Sequence, residues 1–167
     1  MELIDVYDEN RQFTGLTVPR EGVFLNEGQY MLYTLAILQN NEGKYLITQR
    51  SLDKSWAGGW WEISGGGVLS GETTRTAVVR EVGEETGLDV SGIEPELIYS
   101  YTNVDLAHGD NYFNDIYRFQ FDFSEADVVL QQEEAVACKL ASWDDIVALH
   151  NQGIFLHFDR VRQALGR

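Results

Sequence analysis

The chain has 167 residues, a length that fits one domain, 1–167, with an extensive core. Its 27 acidic and 12 basic residues give a formal net charge of −15, which repels long nucleic acids and argues against a polynucleotide partner. The acidic start lacks the features of a secretion signal, no segment is typical of a membrane span, and the single Cys138 predicts neither a disulfide nor a zinc site, so we expect a cytoplasmic protein.

The first part of the chain predicts three strands. Leu3–Tyr7 is typical of a short edge strand, and the stretch Asp8–Gly15 that follows is rich in turn residues. Tyr30–Leu38 and Lys44–Arg50 are apolar, aromatic-rich runs typical of central strands. The intervening residues 40–43, Asn-Asn-Glu-Gly, predict that these two strands form a hairpin.

The first helix is predicted after a loop, Ser51–Gly67, that is rich in glycine and tryptophan. Thr73–Thr86 contains no glycine before Gly83. It is followed by Gly87, and glycine is the usual residue just beyond the end of a helix. The pattern therefore predicts a helix that ends at Thr86.

The second half of the chain alternates strands with helices. Glu96–Val104 and Tyr112–Phe123 are typical of strands, and Lys139–Ser142 is typical of a short one. Residues 142–145, Ser-Trp-Asp-Asp, resemble a capping box and predict a helix to about Gln152. Phe155–Leu165 predicts a final helix. Helices interspersed among hairpin-connected strands indicate an α+β protein with a mixed sheet covered by helices, rather than regular parallel βαβ units.

Three glutamates of the first predicted helix indicate a metal site. Glu81, Glu84 and Glu85 are spaced i, i+3 and i+4, so they project within one arc of roughly 100°. Like charges at these spacings destabilise a helix unless a cation compensates them. Oxygen-only ligation suits Mg²⁺ or Mn²⁺, and Mg²⁺ is usually shared with substrate phosphates. The pattern therefore predicts a phosphate ester or anhydride substrate, and a solvated acidic helix is the alternative.

The residues around the three glutamates support such a site. Val79 and Val82 fall on a neighbouring side of the helix, with Val78 at its edge, where they can pack on the sheet. Ala77 leaves room beside the carboxylates. The glycine run at 65–67 lets a backbone carbonyl approach a metal without obstruction by a side chain.

The segment 66–88 resembles the Nudix box. The pattern of this box is Gly, five residues, Glu, seven residues, Arg-Glu-aliphatic, any, Glu-Glu, any, Gly-aliphatic. The matching positions are Gly66, Glu72, Arg80, Glu81, Val82, Glu84, Glu85, Gly87 and Leu88. Such positions coincide by chance on the order of 10⁻¹⁰ per starting point. The resemblance implies a Nudix fold, a mixed β-sheet sandwiched between α-helices.

The resemblance also implies roles for individual residues. The implied metal ligands are Glu81, Glu84, Glu85 and the carbonyl of Gly65. Glu81 or a loop glutamate would take a proton from the attacking water. Glu72 and Arg80 resemble the pair that ties the loop to the helix and orients the carboxylates. In such sites metal ions acidify water and stabilise charge on phosphoryl oxygens.

The chain is also similar to the branch of this superfamily that includes isopentenyl-diphosphate isomerase. The similar segments are Ile4–Asn10, Thr14-Gly15, Gln49–Ser51, Lys54 and Trp61. The isomerase works through a cysteine and histidine ligands, but Gly65 and Gly67 align with its loop Cys and His, and Met31 stands where its strand His is expected. The isomerase box is degenerate, whereas this box is complete. Hydrolysis by water is therefore favoured over isomerisation.

Residues outside the box are candidates for substrate binding and proton transfer. The resemblance to the isomerase branch suggests that Arg50 and Lys54 bind a diphosphate, and solvated surface charge is the alternative. Glu133 and Glu134 lie where the family often has a further glutamate that serves as metal ligand or general base, and Glu134 fits better. An acidic surface turn is the alternative for this pair.

We expect a divalent-metal-dependent hydrolase that cleaves a nucleoside diphosphate linked to another moiety, or a similar diphosphate, with Mg²⁺ or Mn²⁺ as cofactor. The alternatives are a diphosphate isomerase and a nucleotide-sensing module without turnover. The organic part of the substrate is not encoded in one sequence, and the N-terminal strand could pair across a homodimer. His108, His150 and His157 lack metal-ligand spacing and are given no role.

Overall fold

The computed structural model describes residues 1–167. Its strands are β1 (Leu3–Tyr7), β2 (Phe13–Pro19), β3 (Met31–Gln39), β4 (Tyr45–Arg50), β5 (Trp61–Glu62), β6 (Ser64–Gly67), β7 (Glu96–Asn103), β8 (Tyr112–Gln120) and β9 (Ala135–Ala141). Its helices are α1 (Thr74–Thr86), α2 (Trp143–Asn151) and α3 (Phe158–Ala164), with a 3₁₀ turn at Glu125–Asp127. The α+β class is confirmed.

Seven of the strands form a mixed sheet. Its main order is β5-β4-β3-β8-β7, with β6 beside β3 and β9 beside β4. β3 is parallel to β8 from Met31↔Tyr112 to Gln39↔Gln120, and the other pairs are antiparallel. β1 and β2 form a separate antiparallel pair.

β3 and β4 are joined by a hairpin turn but soon diverge. The Asn40 side chain closes the turn by accepting hydrogen bonds from the backbone N–H groups of Glu42 (3.0 Å) and Lys44 (2.9 Å). Only Gln39↔Tyr45 pairs the two strands. Beyond it β6 pairs with β3 and β5 pairs with β4, so the chain between Trp61 and Gly67 passes from one strand to the other. The prediction of a continuous loop to Gly67 is therefore wrong, because these short strands form by pairing with distant partners.

Helices cover both faces of the sheet, as predicted. Successive strand residues point to opposite faces, so Leu38 packs with Val82 of α1 while Ile37 packs with Ile146 of α2 and Val161 of α3. Val78 and Val82 of α1 are fully buried. No helix in the structure is both long enough and apolar enough to cross a membrane.

Several predicted bounds need correction, and β8 ends at Gln120 instead of Phe123. β2 begins at Phe13, inside the predicted turn-rich stretch Asp8–Gly15. The sequence pattern does not reveal this strand, because its residues are mostly exposed and show no buried face. β9 begins at Ala135 instead of Lys139, since it pairs along β4 as far as Arg50. The last helix begins at Phe158 instead of Phe155, because Phe155 forms a parallel bridge with Trp61.

A buried aspartate ties the N-terminal hairpin to the sheet and to α1. Asp115 of β8 is 3% exposed and accepts a bidentate pair of hydrogen bonds from Arg11 (2.9 and 2.5 Å). It also accepts hydrogen bonds from Thr74 (2.6 Å) and Ser100 (2.8 Å). Burial by itself would raise the pKa of Asp115, but these donors outweigh it and the pKa lies below its ordinary value. The ionised carboxylate is thus the form that stabilises the fold.

We expect the contribution of Asp115 to stability to depend on pH. Because its folded-state pKa is depressed, the contribution is complete above the unfolded pKa of about 3.9 and is lost as pH falls through the folded value. Asp115→Asn should lower the free energy of unfolding by about 2 kcal/mol at pH 7, since Arg11 then lacks its partner. Urea unfolding at several pH values measures the difference, with the exposed Asp122→Asn as control. A deficit that grows below pH 4 would contradict the assignment.

Candidate active site

Local sequence sets both ends of α1. The Thr73 side chain accepts a hydrogen bond from the N–H of Thr76 (3.1 Å), and the Thr76 side chain accepts one from the N–H of Thr73 (3.0 Å). Gly87 has a left-handed backbone (φ 71°), and its N–H donates to the carbonyl of Gly83. Glycine adopts this conformation without steric cost. These caps hold the acidic side of α1 in place, and the predicted end at Thr86 is confirmed.

The acidic side of α1 opens into a cleft of about 710 Å³. Residues of β3, β4, β5, β6, β8 and β9, together with residues of the connecting loops, form the rest of its wall. The predicted site residues that line the cleft are Arg50, Lys54, Gly65, Glu81, Glu84, Glu85 and Glu134. Glu72 and Arg80 are not part of the lining and lie behind it. The fold therefore gathers in one cleft residues that are far apart in the sequence.

Glu81 and Glu85 form a carboxylate pair at the buried end of the acidic group. Their side chains are adjacent in the cleft, so each affects the pKa of the other. Burial raises the pKa of Glu85 well above its ordinary value, and the charge of Glu81 raises it further. Burial also raises the pKa of Glu81, although Arg80 opposes this. A divalent cation would neutralise the charges of both groups, so the chemistry of these donors fits a hard metal ion.

Glu84 lies nearer to solvent than the pair. Its side chain is 51% exposed, and one oxygen lies 3.3 Å from Nη1 of Arg80. The same Nη1 donates to Glu81 (2.9 Å). No group of three or more acidic, histidine or cysteine side chains is arranged as a ready metal cage. The three glutamates thus share one cleft, but they do not converge on a single point.

Arg80 joins the glycine loop to the helix. Its guanidinium donates to both oxygens of Glu72 (2.6 and 2.9 Å) and to the carbonyl of Gly67 (3.1 Å). Glu72 in turn accepts from the N–H of Leu69 (2.9 Å). Hydrogen bonds from Arg80 hold the pKa of Glu72 below its ordinary value. Together with its contact to Glu81, the planar guanidinium links the loop to the cleft carboxylates.

Two positions of β6 require glycine, because atoms of neighbouring residues lie very close to the backbone there. A Cβ on Gly66 would lie 2.5 Å from an oxygen of Glu81, and a Cβ on Gly65 would collide with the carbonyl of Thr34. The absence of a side chain therefore provides the space into which the Glu81 carboxylate projects. The N–H of Gly65 lies near the Glu85 carboxylate and opposes the rise in its pKa. This contact places Gly65 beside the carboxylate pair.

The other end of the cleft contains the two predicted cations. Lys54 Nζ lies 2.6 Å from an oxygen of Glu134, and Arg50 Nη1 lies 3.4 Å from an oxygen of Glu62. Arg50 also donates to the carbonyl of Trp56 (3.1 Å), and its guanidinium lies 5.3 Å from the centre of the indole ring. The predicted loop glutamate and the predicted cations therefore meet at one rim.

Several cleft residues were not predicted from the sequence. They are Arg20, Tyr33, Glu62, Tyr112, Asn114 and His157. Arg20 pairs with Glu2 (2.9 Å) and lies against Gly67. Burial raises the pKa of Glu62, although Arg50 opposes this. No spacing pattern could have revealed these residues as a group, because they come from segments far apart in the sequence that only the folded chain brings together.

Comparisons with known proteins agree with this arrangement. Residues 29–158 match the NUDIX domain family. An uncharacterised Nudix hydrolase of Listeria monocytogenes is 32% identical over 161 residues, which cover 95% of this chain and 90% of that protein. An isopentenyl-diphosphate Delta-isomerase of Corynebacterium diphtheriae is 30% identical over 112 residues, 63% of this chain and 60% of that protein. A crystal structure from Deinococcus radiodurans superposes with a TM-score of 0.73 at 20% identity, covering 92% of this chain and 91% of that one.

Proposed function

The chain belongs to the Nudix hydrolase family, and on that premise we propose that it hydrolyses the phosphoanhydride bond of a nucleoside diphosphate linked to another moiety, or of a similar diphosphate. The observation that carries this proposal is the buried Glu81–Glu85 pair, with Glu84 in the same cleft. Arg80 is the only cation in contact with these glutamates, and it also pairs with Glu72, whereas Arg50 and Lys54 line the same cleft. Such a cleft suits a substrate whose phosphates lie between a cation and basic side chains.

Nudix enzymes use divalent metals, and we propose Mg²⁺ or Mn²⁺ here because every candidate ligand is an oxygen. Glu81, Glu84, Glu85 and the carbonyl of Gly65 would hold the ion. When bound, the ion would acidify the attacking water and stabilise charge on the phosphoryl oxygens. Arg80 and Glu72 would position these ligands through the contacts described above.

Proton transfer is assigned to Glu134 or Glu81. Glu134 is ion-paired with Lys54 at 2.6 Å. A diphosphate that binds Lys54 would loosen this pair and leave Glu134 free to accept a proton from water. Glu81 is the alternative base, because it lies in the buried pair and its pKa is raised by burial.

The residues at 65 and 67 argue against isomerase chemistry. The isomerase branch that the chain resembles uses a cysteine and a histidine at these positions. A Cβ on Gly65 would collide with the carbonyl of Thr34, and one on Gly67 would lie 3.0 Å from the guanidinium carbon of Arg20. A side chain at either position therefore has little space, and the isomerase groups are absent.

The test is to incubate the pure protein with Mg²⁺ in ¹⁸O-labelled water, with a panel of nucleoside diphosphate sugars, dinucleotides and coenzymes and, separately, with isopentenyl diphosphate. We expect two phosphorylated products, one of which contains the label. Nucleotide binding by calorimetry without any product would indicate a sensing module instead. Rearrangement of isopentenyl diphosphate without incorporation of the label would indicate an isomerase. Either result would refute the hydrolase proposal.

A further inference from the structure

His157 lies in the wall of the cleft, although it is separated from the box by about seventy residues of chain. The parallel bridge between Trp61 and Phe155 brings it there: the N–H of Trp61 donates to Ile154 (2.8 Å), and the N–H of Leu156 donates to Trp61 (2.9 Å). This pairing sets the next residue, His157, beside the strand that contains Glu62. The imidazole is thereby placed at the rim where Arg50 lies.

The backbone of His157 is in an unusual conformation. Its φ and ψ are 59° and 29°, in the left-handed region that residues with a Cβ rarely adopt. Strained backbone of this kind is found mostly where the position of a side chain matters for function. The conformation turns the chain from the bridge into α3.

The imidazole has no partner within the protein. It takes part in no side-chain hydrogen bond, yet its nitrogens are not among the buried unpaired polar atoms, which are Ser64 Oγ and Asn114 Oδ1. Its nitrogens therefore retain solvent-accessible surface, and the residue lines the cleft. Burial lowers the pKa of His157, and the charge of Arg50 lowers it further, so the ring is neutral and has one N–H donor.

We propose that His157 binds the substrate by donating a hydrogen bond from its neutral imidazole to a phosphate oxygen held beside Arg50. This inference rests on the proposed function for the identity of the ligand. A neutral donor next to a cation suits a diphosphate, because it adds a directional hydrogen bond without increasing the repulsion between positive charges. The left-handed backbone sets the direction in which the side chain leaves the chain before the substrate arrives.

The test measures binding without turnover. The probe is methylenediphosphonate, whose bridging carbon prevents hydrolysis, titrated in Mg²⁺ by isothermal calorimetry. His157→Gly removes the ring, and glycine accepts the left-handed backbone. We expect its Kd to rise about tenfold, as for the loss of one hydrogen bond to a charged group. Asparagine also tolerates this backbone and provides an amide donor, so His157→Asn should recover part of the affinity. This second variant keeps the inference testable if the glycine variant does not fold.

The matched control is His150→Ala. The His150 ring stacks on Phe158 of α3 at 3.8 Å but does not line the cleft, so this variant loosens α3 without removing the donor. If affinity depended only on the packing of α3, His150→Ala would weaken binding as much as His157→Gly does, and the inference would be wrong. It would also be wrong if the wild type failed to bind the probe.

The two measurements distinguish a failure of the inference about His157 from a failure of the proposed function. If the protein hydrolyses the substrate panel but His157→Gly binds the probe as the wild type does, the inference fails and the proposed function stands. If no substrate is hydrolysed but His157→Gly loses affinity, the inference stands and the proposed function fails. With a substrate from the panel, the KM of His157→Gly should rise more than its kcat falls, as expected for a group that binds the ground state.

Discussion

Glu85→Gln should lower kcat by about 10²–10³-fold, the cost of removing one group that stabilises charge in the transition state. The amide has the size of the carboxylate but cannot supply its negative charge to a metal ion. We expect the substitution to cause no loss of stability. Burial and the charge of Glu81 raise the pKa of Glu85 well above its ordinary value, so a neutral side chain removes an unfavourable interaction.

The measurement pairs kinetics with thermal unfolding in the absence and presence of Mg²⁺. We expect the unfolding temperature of metal-free Glu85→Gln to equal or exceed that of the wild type, and the stabilisation by added Mg²⁺ to be lost. The exposed Glu42→Gln serves as control for the loss of one negative charge. Full activity of Glu85→Gln would remove the physical basis of the proposed site.

Arg80→Lys should lower kcat by about 10–100-fold, the usual effect of losing a residue that orients metal ligands. Lysine keeps the charge but has no planar fork, so it cannot contact Glu72, Gly67 and Glu81 together as Arg80 does. The groups left unpaired should also lower the free energy of unfolding by about 2 kcal/mol.

The partner variant is Glu72→Gln, measured alone and combined with Arg80→Lys. Because the two side chains act as one unit, their effects on kcat should be far from additive. Arg75→Lys on the same helix is the control, since Arg75 pairs with the exposed Glu94 away from the cleft. Additive losses in the double variant would show that Arg80 does not act through Glu72.

The acidic helix could be predicted from the sequence because its determinants are local. Helical periodicity relates Glu81, Glu84 and Glu85 within a single turn, whatever the rest of the chain does. Thr73 and Gly87 lie at the two ends of the same segment and set its bounds. The spacing that resembles the Nudix box extends over only 23 residues, 66–88, so the family could also be recognised without a structure.

The rest of the cleft could not be predicted in this way. Lys54 meets Glu134 because β9 pairs with β4 up to the bulge at Arg50. His157 lacks metal-ligand spacing, and Arg50 and Trp61, which lie near it in the structure, are more than ninety residues away in the chain. Such contacts depend on which strands pair and in which register. The free energy of that pairing comes from burying side chains of distant segments together, which no local pattern encodes.

The sequence by itself therefore determined the α+β class, the acidic helix and the family. Only the tertiary structure decided that β3 and β4 separate, that Trp61–Gly67 passes between them, and that the basic rim and His157 face the glutamates across one cleft. The physical reason is the range of the interactions. Helix periodicity and capping act over a few residues, whereas strand pairing and burial join residues that only the folded chain brings into contact.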